Sequence, residues 1–159
     1  MTPQQAQIIK NHQETVPVRV GQLAIDLGLE VVVASLGQNV SGLIQPSETA
    51  PAKFVIKVNR YESQERQRFT IAHELSHFLL HKDYILTGVI DNVMYRSTLG
   101  SKKETETNKM AADNLMPMKW IRNEVDRLGI QTDERGARIL ADIFKVSVPA
   151  MKVRLGISE

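Results

Sequence analysis

The chain predicts an α+β fold: a small, largely antiparallel sheet packed on one central helix, followed by a helical C-terminal part. Three observations carry this expectation. β-Branched or alternating runs crowd into residues 29–58. The stretch from Gln64 to Lys82 contains neither Pro nor Gly and repeats apolar residues at helical spacing. Beyond it come further helix-compatible segments, the first stopped by Pro117. Strands first and helices afterwards is the order of an α+β domain rather than of alternating βαβ units. The 159 residues suit one domain, 1–159, with 118–159 as a helical subregion.

The elements follow from local chemistry. Pro3 to Lys10 has weak amphipathic helical character, and Val16-Pro17-Val18 breaks it, because proline disfavours helix in the residue before it. Val20 to Leu27 reads as a short helix stopped by Gly28. Leu29 to Leu36, Gly42 to Gln45 and Phe54 to Val58 are the strand candidates, with a turn at Gly37-Gln38-Asn39 between the first two. Ser63 is the expected N-cap of the central helix, with Glu65 in its first turn. Tyr84 to Gly100 reads as a loop that contains an extended segment, Val93 to Arg96. Helices are then expected over Lys103 to Met116 (stopped by Pro117), Met118 to Leu128, Asp133 to Phe144, and a short stretch after Ser147.

Composition excludes several classes. A net charge of +2, from 20 basic and 18 acidic residues, does not by itself argue for a nucleic-acid partner. With 0 cysteines, disulfides and thiolate metal sites are ruled out, which fits a reducing cytoplasm. No apolar run approaches the roughly 18 residues that span a bilayer, and the N-terminal residues lack a basic start with an apolar h-region. The expectation is a cytoplasmic protein with no membrane partner.

The chemistry lies in His73-Glu74-Leu75-Ser76-His77, a match to H-E-x-x-H. Residues i and i+4 share one helix face, so two imidazoles can reach one tetrahedral zinc. Glu74, beside the first ligand, is the natural base for the attacking water. The bare motif is moderately specific, and the helical wheel strengthens it. With His73 at zero, His77 falls at about 40° and His81 at about 80°. Phe69, Ile71, Ala72, Leu75, Phe78, Leu79 and Leu80 fill most of the remaining arc. A helix so widely apolar is buried, and a buried polar stripe needs partners. A solvated face is the bland alternative; one zinc ion is the more economical account.

A third ligand is required. Glu104 and Glu106, two residues apart at the start of the next helix, are the candidates. They sit roughly 200° apart around the axis, so only one can aim at the metal. Glu104 shares a sector with Ala111 and Leu115, and Glu106 shares one with Met110 and Asp113. The spacing alone does not choose between them. His81 cannot join His73 and His77 as a ligand, since i, i+4 and i+8 span about 12 Å on a straight helix. It reads as a residue behind the ligands or facing substrate, or as a satisfied structural histidine.

These segments together resemble the ImmA/IrrE-type metallopeptidases. Arg68 to His81 resembles that family's signature helix, Ile56 to Asn59 the strand leading into it, and Glu106 to Pro117 its E-A-N-x-F-A-A-x-L-L-M-P segment. The resemblance runs from about Val16 to Leu155. Thr107, Met110 and Asn114 depart from the usual Ala, Phe and Leu, and Ser76 stands where Gly is common. The resemblance implies a zincin-like minimal peptidase, and it places the third zinc ligand on Glu106. It further implies a protein substrate, a helix-turn-helix repressor whose cleavage relieves repression, in a prophage, toxin–antitoxin or stress-response setting. The expected site is therefore His73, His77 and Glu106 on zinc, with Glu74 as base. His81, Tyr95 and Arg96 are candidates for stabilising the oxyanion, and Val93 to Arg96 for pairing with an extended substrate.

Two other readings compete. The tail from Ile139 to Leu155 has a helix-turn-helix-like pattern with Lys152 and Arg154, which raises a DNA-binding role. Pro149 and the scarcity of base-reading side chains argue against it, so direct DNA binding is not expected. A non-catalytic partner-binding module is the other, opposed by the presence of Glu74. Arg60, Arg66 and Arg68 near the helix start read as a solvated, ion-paired face rather than an anion site.

Overall fold

The computed structural model describes residues 1–86 and 101–157. Helix α1 (Pro3–His12) starts at a capping box, in which Thr2 and Gln5 satisfy each other's backbone N–H groups. Helix α2 (Val20–Asp26) follows and is tied to α1 by a 2.7 Å contact between His12 and Asp26. Three strands come next: β1 (Glu30–Ala34), β2 (Gly42–Pro46) and β3 (Phe54–Asn59).

The sheet corrects the expected topology. Its order is β1-β3-β2, with β1 parallel to β3 and β2 antiparallel to it, so the sheet is mixed rather than largely antiparallel. The Gly37 turn exists, closed by Val40 N–H on the Gly37 carbonyl at 3.2 Å, but it does not make β1 and β2 neighbours. β3 inserts between them. The reason is burial: β3 is buried at all but Lys57, whereas Val32 and Val33 of β1 are exposed. The most apolar strand takes the centre, where both edges are paired.

Helix α3 (Gln64–Leu80) runs across this sheet. Ser63 caps it by accepting from Arg66 N–H, as expected, and every residue from Thr70 to Phe78 is buried. Close approach of sheet and helix depends on Gly42. A Cβ there would lie 2.5 Å from both the Lys57 carbonyl oxygen and Thr70 Cγ2. Glycine thus lets β2 sit against α3 one turn before the histidines. α3 ends at Leu80, two residues earlier than expected, and the short helix α4 (Lys82–Leu86) turns away. Residues 93–96, the proposed extended segment, lie outside the described residues.

Helix α5 (Ser101–Leu115) packs along α3 through Ala111 and Leu115, both fully buried. Helices α6 (Met118–Leu128), α7 (Glu134–Phe144) and α8 (Val148–Leu155) complete the chain. α6 ends at Gly129, which has a φ of 63°, while Asp133 and Ser147 cap α7 and α8. Pro149 sits in the first turn of α8, where its missing N–H costs nothing. Arg68 reaches from α3 to the end of α7, donating to the carbonyls of Lys145 (3.0 Å) and Phe144 (3.3 Å). Arg66 donates to Ser41 Oγ and lies 4.0 Å from Glu62. One continuous core links Ile9 of α1, the sheet, Leu75 and Phe78 of α3, Leu115 of α5 and Phe144 of α7. Among the described residues no helix is long and apolar enough to cross a membrane.

Candidate metal centre

The helix period puts His73 and His77 one turn apart on α3, and both are completely buried. Their rings meet edge to face with centroids 4.6 Å apart. The facing carboxylate comes from the first turn of α5. Glu104 Oε1 lies 3.3 Å from His77 Nε2, and Oε2 lies 3.7 Å from His73 Nε2. Donor atoms of His73, His77 and Glu104 all fall within 4.8 Å of one another. Two imidazole nitrogens and a carboxylate are a donor set that suits a divalent zinc-like ion and leaves a fourth tetrahedral position open. The residues fit the group.

The expected third residue is not the one that arrives. Glu106 points elsewhere: its side chain is 48% exposed and its carboxylate is 3.7 Å from His81 Nε2. The structure places Glu104 rather than Glu106 beside the two imidazoles. The physical reason was present in the sequence. Glu104 extends the stripe of Ala111 and Leu115, both fully buried, whereas Glu106 extends the stripe of Met110 and Asp113, both partly exposed. The apolar stripe of a helix marks which way its polar end residues face.

Each histidine is held at its second nitrogen. His73 Nδ1 is 2.9 Å from Asn108 Oδ1, an oxygen that only accepts, so the tautomer protonated at Nδ1 donates to it and turns the Nε2 lone pair toward Glu104. Glu104 and Asn108 are one turn apart on α5 and therefore address the two nitrogens of one ring. His77 Nδ1 lies 3.3 Å from His81 Nδ1 and 3.4 Å from Thr107 Oγ1. Sequence reasoning missed both Asn108 and Thr107. Thr107 is fully buried on the side of α5 that faces α3, a side that the sequence does not mark. His81, 5% exposed, stands behind His77 rather than beside Glu104. Burial lowers its pKa, nearby Lys103 adds to that effect, and Glu106 opposes both.

Glu74 follows His73 on α3 and is 1% exposed. A groove of about 540 Å³ runs along α5 past Phe69, Asn108, Ala112 and Met116, and so shares two residues with the surroundings of His73. Tyr95 and Arg96 lie outside the described residues.

A family model described as the IrrE N-terminal-like domain, Peptidase_M78, matches residues 24–156. The chain belongs to this family, the ImmA/IrrE-type metallopeptidases. The Radiation response metalloprotease IrrE of Deinococcus deserti is 39% identical over 79 residues, covering 50% of this chain and 28% of that protein. Its counterpart in Deinococcus radiodurans is 38% identical over 79 residues, covering 50% of this chain and 24% of that protein. The match thus takes in about a quarter of the length of these ImmA/IrrE relatives. A solved Mycobacterium tuberculosis transcriptional regulator superposes with a TM-score of 0.62 at 15% identity, covering 99% of this chain and 48% of that one. That likeness is one of fold.

Proposed function

We propose that this chain is a zinc-dependent endopeptidase that hydrolyses a protein substrate, a helix-turn-helix transcriptional repressor, and so relieves repression. The observation that carries the reading is the buried convergence of His73, His77 and Glu104 from two helices. His73 and His77 offer Nε2 to the ion and Glu104 a carboxylate oxygen. When bound, the metal would polarise the scissile carbonyl and acidify the attacking water. Glu74 takes the proton from that water and returns it to the leaving amine. The packed faces of α3 and α5 keep bulk solvent from the back of the site. The groove beside Asn108 offers a wall for the substrate chain.

Family membership supports peptidase chemistry, and the helix-turn-helix substrate is the extension drawn from the family resemblance. A cytoplasmic setting beside a regulator gene, of prophage or toxin–antitoxin type, belongs to the same extension. DNA binding by the tail is the weaker reading. Arg154, its best phosphate-binding candidate, pairs with Asp113 at 2.9 Å and donates to the Met116 carbonyl at 3.0 Å.

The test is Glu74→Gln, incubated with zinc and any helix-turn-helix repressor found encoded beside this gene, with cleavage followed by mass spectrometry. The variant should bind zinc as the wild type does and lose about 10²–10⁴-fold in cleavage rate, the usual contribution of a general base. Equal cleavage by both proteins refutes the role of Glu74. A repressor left intact by zinc-loaded wild type refutes the substrate.

A further inference from the structure

We propose that the groove between α5 and α8 is where the substrate polypeptide is selected. It takes an apolar side chain close in sequence to the bond that is cut, with an acidic neighbour held by Lys109. The proposal rests on the peptidase reading of the metal centre.

The groove begins at that centre and leads away from it. Asn108 Oδ1 is 2.9 Å from His73 Nδ1, and the same residue lines the groove. Phe69, one turn before His73 on α3, lines it too, its ring centroid 6.5 Å from that of His73. From there the groove follows α5 past Ala112 to Met116, just beyond the end of the helix. Asn108 to Met116 is about 12 Å at the helical rise, or about three to four residues of extended chain. A polypeptide with its scissile bond at the metal centre can lie in the groove over that length.

The two walls are held apart. Arg154 pins α8 to the end of α5, pairing with Asp113 at 2.9 Å and donating to the Met116 carbonyl at 3.0 Å. Ala112 on α5 and Ala150 on α8 are side chains too short to close the gap of about 540 Å³. The groove is therefore preformed and mostly apolar, the character of a site that buries a ligand's side chains. Val153, on its α8 side, is 80% exposed, more than any other large apolar side chain among the described residues. The two basic residues of the lining differ. Arg154 is engaged by Asp113, whereas Lys109 is exposed and has no ion pair among the described residues. An acidic residue of the substrate is what that charge selects. The helix-turn-helix-like tail thus reads a polypeptide rather than duplex DNA.

The experiment uses the whole chain as zinc-loaded Glu74→Gln with labelled methyl groups, so that nothing is cut. The probe is a short acetylated and amidated Ser/Gly peptide with Leu-Asp-Asp at its centre. Titration should move the methyl signals of Ala112, Met116, Ala150 and Val153. Replacing the peptide's Leu by Ser should weaken binding about tenfold or more, the effect of burying one such side chain. Lys109→Glu should weaken it about two- to fivefold, the range of an exposed ion pair, and turn the preference toward a Leu-Lys-Lys peptide. Ala112→Phe fills the groove and should abolish the shifts. Lys109 is exposed, so Lys109→Glu carries the test if Ala112→Phe does not fold. No shift of these methyls with millimolar peptide overturns the proposal, as do equal affinities for the Leu and Ser peptides or an unchanged preference in Lys109→Glu. Shifts at Val153 on raising the protein concentration alone would give the groove to a second copy of the chain and overturn it too. If the probe binds but zinc-loaded wild type cuts no protein, the peptidase reading fails and the role in cleavage with it. If wild type cuts a protein substrate and Lys109→Glu cuts it with unchanged KM, this proposal alone fails.

Discussion

Glu104 and Glu106 share one turn of one helix, carry the same charge and differ by two positions, yet the fold assigns them different tasks. Glu104 lies between the imidazoles of His73 and His77, with a side chain only 17% exposed. Glu106 stands at the rim with 48% exposure, its carboxylate 3.7 Å from His81 Nε2. The difference comes from the packing of α5 rather than from either residue. Ala111 and Leu115 bury one side of that helix against α3 and rotate Glu104 inward, and the same rotation turns Glu106 outward. Chemistry at the first turn is set by apolar residues two and three turns further on.

The largest expected effect follows from that contrast. Glu104→Ala should reduce zinc affinity well beyond the roughly 100-fold upper end for outer partners, because it removes a ligand. Glu106→Ala should lose about tenfold. Competition titrations on both variants measure the gap, and equal losses would erase the distinction between the two carboxylates.

Asn108 sharpens the comparison from the other side of His73. Asn108→Ala removes the acceptor 2.9 Å from Nδ1 while leaving all ligands in place. About a tenfold loss of zinc affinity is expected, with little change in unfolding midpoint in the metal-free protein. Wild-type affinity would show that the ring needs no such support.

The smallest effect on the metal belongs to Gly42, which acts only through the seating of α3 on the sheet. Gly42→Ala forces a Cβ to 2.5 Å from the Lys57 oxygen and Thr70 Cγ2. Overpacking of this kind costs about 1–3 kcal/mol. Urea unfolding should register that loss while the zinc affinity of the folded protein changes least among these variants. An unaltered midpoint would mean that the contact relaxes freely.

Much of the local structure was legible before any coordinates. Ser63 as a cap, the helix over His73 to His77 and the stop at Pro117 are chemistry that acts within one turn of chain, and they fall where expected. Strand partnership was not legible. Val31 to Val33 declare an extended segment, but which neighbour pairs with it is decided by the competition for the buried centre, and β3 wins that. The third acidic residue sat between these cases. Resemblance favoured Glu106, while the wheel already set Glu104 in line with Ala111 and Leu115 and lacked only the knowledge that this stripe faces α3. Asn108 and Thr107 were missed because polar residues at a helix–helix seam look like ordinary surface until the seam is known.

The most direct measurement is an anomalous diffraction map at the zinc edge from crystals of the zinc-loaded protein. The account predicts one peak about 2.0–2.2 Å from His73 Nε2, His77 Nε2 and a Glu104 carboxylate oxygen, with Glu106 bound to no ion. A peak ligated by Glu106, or the absence of any peak between the two α3 histidines, would contradict it.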